Sequence, residues 1–280
     1  MTVVGLAQLT TVPGAVDANR ELLADAVGRA TSAGADVVVL PELAVSGYTL
    51  DPRVLTATAE PVPGPTTEAW GALAQQSGAL ILGGLCEQDG KRLFNTVVGV
   101  APEGLVLHYR KLHLFAGEKQ VFSPGDLGLP IAETPHGRVG VCVCYDLRFP
   151  EVVRVLALRD AELIAVPSAW VAGFDSDETR THGCPQSDGA QLQANLSQVY
   201  LACASQAGPG DGFDFLGSSL VAGPDGTALV GPRSRTEQWI GTCEVDLAAA
   251  ERSRDRGGGV LPRQDRRTDV YGLCYEGRQL

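Results

Sequence analysis

Lysine is scarce in this 280-residue chain: Lys91, Lys111 and Lys119 stand against 19 arginines, and no Lys/Arg block occurs. With a formal net charge of −11 as well, the basic surface that a nucleic-acid binder needs is missing. No apolar run approaches the roughly 20 residues that cross a bilayer, so no membrane partner is expected. Histidine is rare too. His108, His113, His136 and His182 include no HExxH and no paired ligand spacing, so no metal or other cofactor is implied. The seven cysteines, an odd number, contain no CxxC pair; Cys142 and Cys144 are separated by one residue. Scattered thiols, and an N-terminal MTVVGLAQLT without a basic region, lead us to expect a reducing, cytoplasmic setting.

What remains is an acidic chain that is 44% apolar and 20% charged, enough to build a large core. Strands are predicted at Val3–Gln8 and Val37–Leu40, flanking a helix whose apolar residues recur from Val16 to Ala30. A Pro-rich loop at Pro61, Pro63 and Pro65 leads to a helix near Thr66–Gln76. Strands follow at Ala79–Leu85, Asn95–Val100 and Leu105–Tyr109. The second half repeats the scheme: strand Arg138–Cys144, helix Pro150–Arg159, strand Leu163–Val166, helix Ser187–Leu196 and strand Tyr200–Ser205. Further strands are expected near Ser218–Ala222, Thr227–Val230 and Trp239–Glu244. A βαβ pattern occurring twice predicts an α/β protein with two sheets face to face and helices outside. We expect one domain over residues 1–280, with residues 251–280 forming a polar arm outside the core.

Three residues at strand ends are chemical candidates. Glu42, in VVVLPELAVSGY, follows a buried strand and Pro41, and its apolar neighbours would raise its pKa toward that of a general base or acid. Lys111, in LHYRKLHLF, could hold negative charge on a developing oxyanion. Cys144, in GRVGVCVCYDLRFPE, ends a strand that places it on one face with Cys142. Cys142 is expected to be a core residue and Cys144 an exposed nucleophile on a strand-to-helix turn. Each also has an ordinary structural reading: a capping or salt-bridged Glu, a snorkelling Lys, an inert buried thiol.

Taken together, LPELAVSGY, YRKLHLF and VCVCYDLRFPE resemble the nitrilase superfamily of carbon–nitrogen hydrolases. The similarity extends to GEKQVFSPGD, PSAW, FLGSSLVAGPDG and RRTDVY. It implies a four-layer α-β-β-α sandwich and a Glu42-Lys111-Cys144 triad working through a thioester. It also implies an oxyanion site at Lys111 and the Tyr145 backbone N–H, and a supporting role for Glu118. Trp170 falls where relatives line the substrate pocket, and Tyr48 is a further pocket candidate. His113 and Phe115 are assigned to packing. Residues 171–199 are expected to form one wall, where Asp175, Asp177 and Glu178 read as solvated acids or as contacts for a cationic substrate. The CYDLRFPE form resembles the amidase side of the superfamily. The expected reaction is hydrolysis of a small linear amide to carboxylate and ammonia. Alternatives are an N-carbamoyl amidohydrolase, a nitrilase or a catalytically silent binding member. A homodimer or higher homo-oligomer is expected from the family.

Overall fold

The computed structural model describes residues 1–173 and 183–280. The first half contains β1 (Thr2–Gln8), α1 (Val16–Ser32), β2 (Val37–Val39), α2 (Pro52–Thr58), α3 (Pro65–Ser77), β3 (Leu80–Asp89), β4 (Arg92–Ala101) and β5 (Gly104–Arg110). The second contains β6 (Ile131–Thr134), β7 (Gly137–Val141), α4 (Pro150–Leu158), β8 (Leu163–Ser168), α5 (Pro185–Ser197) and β9 (Tyr200–Ser205). There follow β10 (Ala207–Gly210), β11 (Phe213–Leu216), β12 (Leu220–Ala222), β13 (Ala228–Val230), β14 (Trp239–Val245), α6 (Leu247–Arg252), β15 (Cys274–Tyr275) and β16 (Arg278–Gln279).

Two six-stranded sheets run in the orders β14-β1-β2-β3-β4-β5 and β13-β12-β9-β8-β7-β6. Each has a parallel centre, β1-β2-β3 in one and β7-β8-β9 in the other, with antiparallel strands outside. The sheets meet through β1 against β9 and through β2 and β3 against β8; α1 and α3 cover the outer face of the first, α4 and α5 that of the second. This is the four-layer sandwich expected from the sequence. Burial on both faces explains why Val37-Val38-Val39 shows no alternation: one side meets helices, the other meets a sheet. In α1 the buried residues Leu23, Ala26, Val27 and Ala30 form one stripe at helical spacing. Each fully buried Leu or Val of this core contributes about 1.5–3 kcal/mol by leaving water.

Two expectations require correction. The strand predicted over Arg138–Cys144 ends at Val141, and residues 144–148 form a 3₁₀ turn, so strand alternation does not reach Cys144. The cause is Asp146, whose carboxylate caps the Val143 N–H at 2.9 Å and turns the chain before another strand residue can pair. The C-terminal arm is mostly exposed, but it does pack: Leu273, Tyr275 and Leu280 lie against the core. The Arg263 guanidinium fastens it further, donating to the carbonyls of Ala157 (2.6 Å) and Ser197 (2.8 Å) at the ends of α4 and α5. Composition alone hid these anchors because they are isolated residues in a polar segment. Asp175, Asp177 and Glu178 lie outside the described residues.

Candidate active site

The candidate residues follow the carboxyl ends of strands, where open α/β sheets place their ligand sites. Glu42 follows β2, Lys111 follows β5, Cys144 follows β7 and Trp170 follows β8. The turn carrying Glu42 is held tightly. Leu43 sits at φ +48°, and the N–H of Gly84 donates to the Pro41 carbonyl at 3.0 Å. A Cβ at Gly84 would stand 2.3 Å from the Leu43 nitrogen, so only glycine lets β3 pass this close beneath Glu42. Gly125 does the same below Lys111: its N–H donates to the Lys111 carbonyl at 2.9 Å, and a Cβ there would meet the Arg110 oxygen at 2.0 Å.

Glu42, Lys111 and Glu118 form a buried charged cluster, each 1% exposed or less. Lys111 Nζ donates to Glu42 Oε1 at 2.7 Å and to Glu118 Oε1 at 2.9 Å. Asn95 Nδ2 also donates to Glu42 Oε1, at 2.7 Å. Glu42 Oε1 is therefore engaged twice, whereas Oε2 has no hydrogen-bond partner among the described residues. A buried polar oxygen without a partner calls for an explanation beyond packing. Burial, with the nearby charge of Glu118, raises the Glu42 carboxyl above its ordinary 4.5 despite the opposing pull of Lys111. For Lys111, burial works against the charged form, but the carboxylates of Glu118 and Glu42 outweigh it and keep the ammonium. Glu118 is fixed in turn by the Tyr48 hydroxyl at 2.9 Å and the Phe115 N–H at 2.8 Å. It is neither solvated nor paired with the exposed Lys119, the structural alternative for this residue.

Cys144 heads its turn at φ +45°, a left-handed conformation that costs a non-glycine residue about 1–3 kcal/mol and is retained where function requires it. Asp146, fully buried, maintains the turn. Besides the Val143 N–H, its Oδ2 accepts the Tyr109 hydroxyl at 2.6 Å, and its Oδ1 accepts the His113 N–H at 3.0 Å and lies 2.8 Å from His113 Nδ1. The imidazole stacks on Phe149 with ring centroids 3.7 Å apart. Burial, then the negative charge of Glu42, pushes the Cys144 thiol well above its usual pKa, opposed by Lys111 and by the Ala169 N–H. Cys142 is fully buried in the core.

A cavity of about 270 Å³ opens beside Cys144 and Tyr145, with Phe115, Leu147, Trp170 and Leu192 among its walls. Trp170 is both pocket wall and core, 2% exposed. Tyr48, expected in the pocket, is not among the residues lining it; its ring packs on Phe213 and Phe215 behind Glu118. Phe115, assigned only to packing, lines the cavity. Sequence reasoning missed Asn95 and the role of Asp146. For Asn95 a signal existed: one amide inside the apolar strand RLFNTVVGVA.

Comparison with known proteins shows what the chain is similar to. A family model described as carbon-nitrogen hydrolase matches residues 3–255. A nitrilase of Pyrococcus abyssi is 35% identical over 88% of this chain and 89% of its own length. An omega-amidase of Xenopus tropicalis is 29% identical over 88% of each. The solved amidase from Nesterenkonia sp. AN1 superposes with a TM-score of 0.80 at 27% identity, covering 96% of this chain and 98% of that one. A variant of that amidase shows covalent addition of the acetamide moiety of fluoroacetamide at its active site cysteine. The protein is an amidase-type hydrolase. It belongs to the carbon–nitrogen hydrolase family, in the nitrilase superfamily.

Proposed function

We propose that the protein hydrolyses a small linear amide to carboxylate and ammonia through a thioester on Cys144. The observation that carries this reading is the unpartnered Oε2 of Glu42, within a buried cluster whose charges act on a strained cysteine. In the first half-reaction Glu42 takes the thiol proton as sulfur bonds to the carbonyl carbon. The carbonyl oxygen becomes an oxyanion, held by Lys111 Nζ and the Tyr145 N–H. As the C–N bond breaks, Glu42 returns the proton to nitrogen and ammonia leaves. In the second half-reaction Glu42 deprotonates water, hydroxide adds to the thioester, the C–S bond breaks to release the acid, and Glu42 returns the proton to sulfur, which restores the thiol. One well-placed oxyanion donor is worth about 2.7–4 kcal/mol. All of these steps are carried by the chain's own groups.

Ammonia release, together with acid formation, from a panel of amides, N-carbamoyl compounds and nitriles tests the reading. Carbon dioxide released in step with ammonia from carbamoyl compounds, with amides ignored, would replace it by the N-carbamoyl alternative. A reducing cytoplasmic location fits the free thiols. We also propose a homodimer: Val270 and Tyr271 of the arm are exposed, and Tyr271 shares a groove with Arg154, Leu196 and Leu273. A monomer by light scattering would contradict this.

Two predictions arise here. Lys111→Arg is expected to lower kcat nearly as far as Lys111→Ala, because the longer planar guanidinium cannot place a donor where the ammonium sits between two carboxylates. Retention of most activity by Lys111→Arg would reduce Lys111 to a general source of positive charge. Asn95→Leu is expected to move the acid limb of kcat/KM to higher pH. The hydrogen bond from Asn95 favours the ionised Glu42. Its loss favours the protonated form, which cannot accept the thiol proton, so activity disappears at a higher pH on acidification. An unchanged or lowered limb would separate Asn95 from Glu42.

A further inference from the structure

The oxyanion site of the proposed mechanism is assembled from two sheets. Lys111 follows β5, the edge strand of the first sheet, whereas the Tyr145 N–H belongs to the turn after β7 in the second. No strand ladder joins β5 to β7, so sheet pairing does not fix one donor relative to the other. Two donors that must meet one small oxygen need a tie between their segments.

That tie converges on Asp146. The Tyr109 hydroxyl, from β5, donates to Oδ2 at 2.6 Å. Two groups of a single residue, the His113 N–H at 3.0 Å and His113 Nδ1 at 2.8 Å, reach Oδ1. Leu112, between Lys111 and His113, donates its own N–H to the Tyr109 hydroxyl at 3.2 Å, which draws the Lys111 segment around the same point. On the other side Asp146 closes the nucleophile's turn twice. Its carboxylate accepts the Val143 N–H at 2.9 Å, and its own N–H donates to the Val143 carbonyl at 2.8 Å. The peptide between Cys144 and Tyr145, which carries the oxyanion N–H, lies inside that closed loop.

The His113 ring is held in one orientation. A carboxylate oxygen accepts, so the imidazole proton in this bond sits on Nδ1. The ring lies 13° from parallel to Phe149, and Phe149 meets the Tyr145 ring edge-on at 5.4 Å. The stack fixes the plane of the imidazole and the Asp146 bond fixes its edge. His113 is not among the described residues that line the cavity, so it acts through Asp146 and not on the substrate. Its side chain is 32% exposed, so the core does not rest on it.

Building on the amidase reading above, we propose that His113 is a positioning residue: through Asp146 it sets the Tyr145 N–H against Lys111 Nζ so that both donors meet the oxyanion. The step it serves is addition to the carbonyl, not the reactivity of the thiol. A misplacement of about 1 Å between such groups costs about 10²-fold in rate.

The test compares His113→Phe, which keeps the stack and loses the bond, with His113→Asn, whose Nδ2 takes the place of Nδ1. Ammonia release by the purified enzyme from the fastest amide of the panel above gives kcat and KM. In parallel, methyl methanethiosulfonate transfers its methylthio group to the Cys144 thiol and releases methanesulfinate, with no carbonyl involved. Mass spectrometry of the Cys144 peptide follows that rate. We expect His113→Phe to lower kcat at least about tenfold with KM within about threefold of the parent, and His113→Asn to keep at least about a third of the parent kcat. The thiosulfonate rate should stay within about threefold of the parent in both variants. His113→Ala, which adds no bulk, is held to the same expectation as His113→Phe and replaces it if that variant folds poorly. An unchanged kcat without the bond, no recovery in His113→Asn, or a thiosulfonate rate that falls with kcat would overturn the inference and leave the amidase reading standing. No ammonia from any amide with the parent enzyme would overturn that reading, and the inference with it.

Discussion

Cys144→Ala is expected to lower kcat by at least about 10⁴-fold while leaving the circular dichroism spectrum and the melting temperature close to those of the parent. Cys144 occupies a left-handed position at the head of its turn, and the bonds that hold the turn run from Asp146 to Val143, Tyr109 and His113, not from the thiol. Removing the sulfur therefore removes the nucleophile and spares the scaffold. Cys142→Ala makes the reverse case. That side chain is fully buried, so its truncation should cost about 1–2 kcal/mol of stability and little activity. Equal kcat in Cys144→Ala and the parent would refute the assignment.

Glu42→Gln should lower kcat at least about 10³-fold, because each general-base step is worth about 10²–10⁴ and Glu42 serves both half-reactions. A carboxamide keeps the size of the side chain but accepts no proton. Steady-state kinetics of this variant, with the melting temperature as control, distinguish loss of the base from loss of the fold. The control matters because Lys111, fully buried, would retain only Glu118 as a counter-charge. If instead Glu42→Gln kept a tenth or more of the parent rate, another group would have to be the base.

The central strands and the order of the layers were legible because hydrophobic runs such as Val37-Val38-Val39 report burial directly, whichever residue ends the strand. The end of β7 was not, since alternation through Val139, Val141 and Val143 continues in the sequence past the point where Asp146 captures the chain. A side chain bonding to a backbone three residues away leaves no periodic trace. For the site, Glu42, Lys111 and Cys144 were legible through the motifs around them, and so was Glu118. Which oxygen of Glu42 is engaged depends on Asn95, brought in by the pairing of β3 with β4. The direction of Tyr48 was not legible either: its hydroxyl donates to Glu118 beside the lysine. Residue type and order carry over from sequence; the direction of a side chain is decided by packing.

In the proposed mechanism amide hydrolysis passes through an acyl group on the sulfur of Cys144. Acid-quench mass spectrometry during turnover of a simple amide, followed by peptide mapping, tests it most directly. An added acyl mass is expected on the peptide containing Cys144, absent from Cys144→Ala and absent once substrate is exhausted. Undiminished turnover without any acylated Cys144, or the acyl mass located on Cys142, would contradict it.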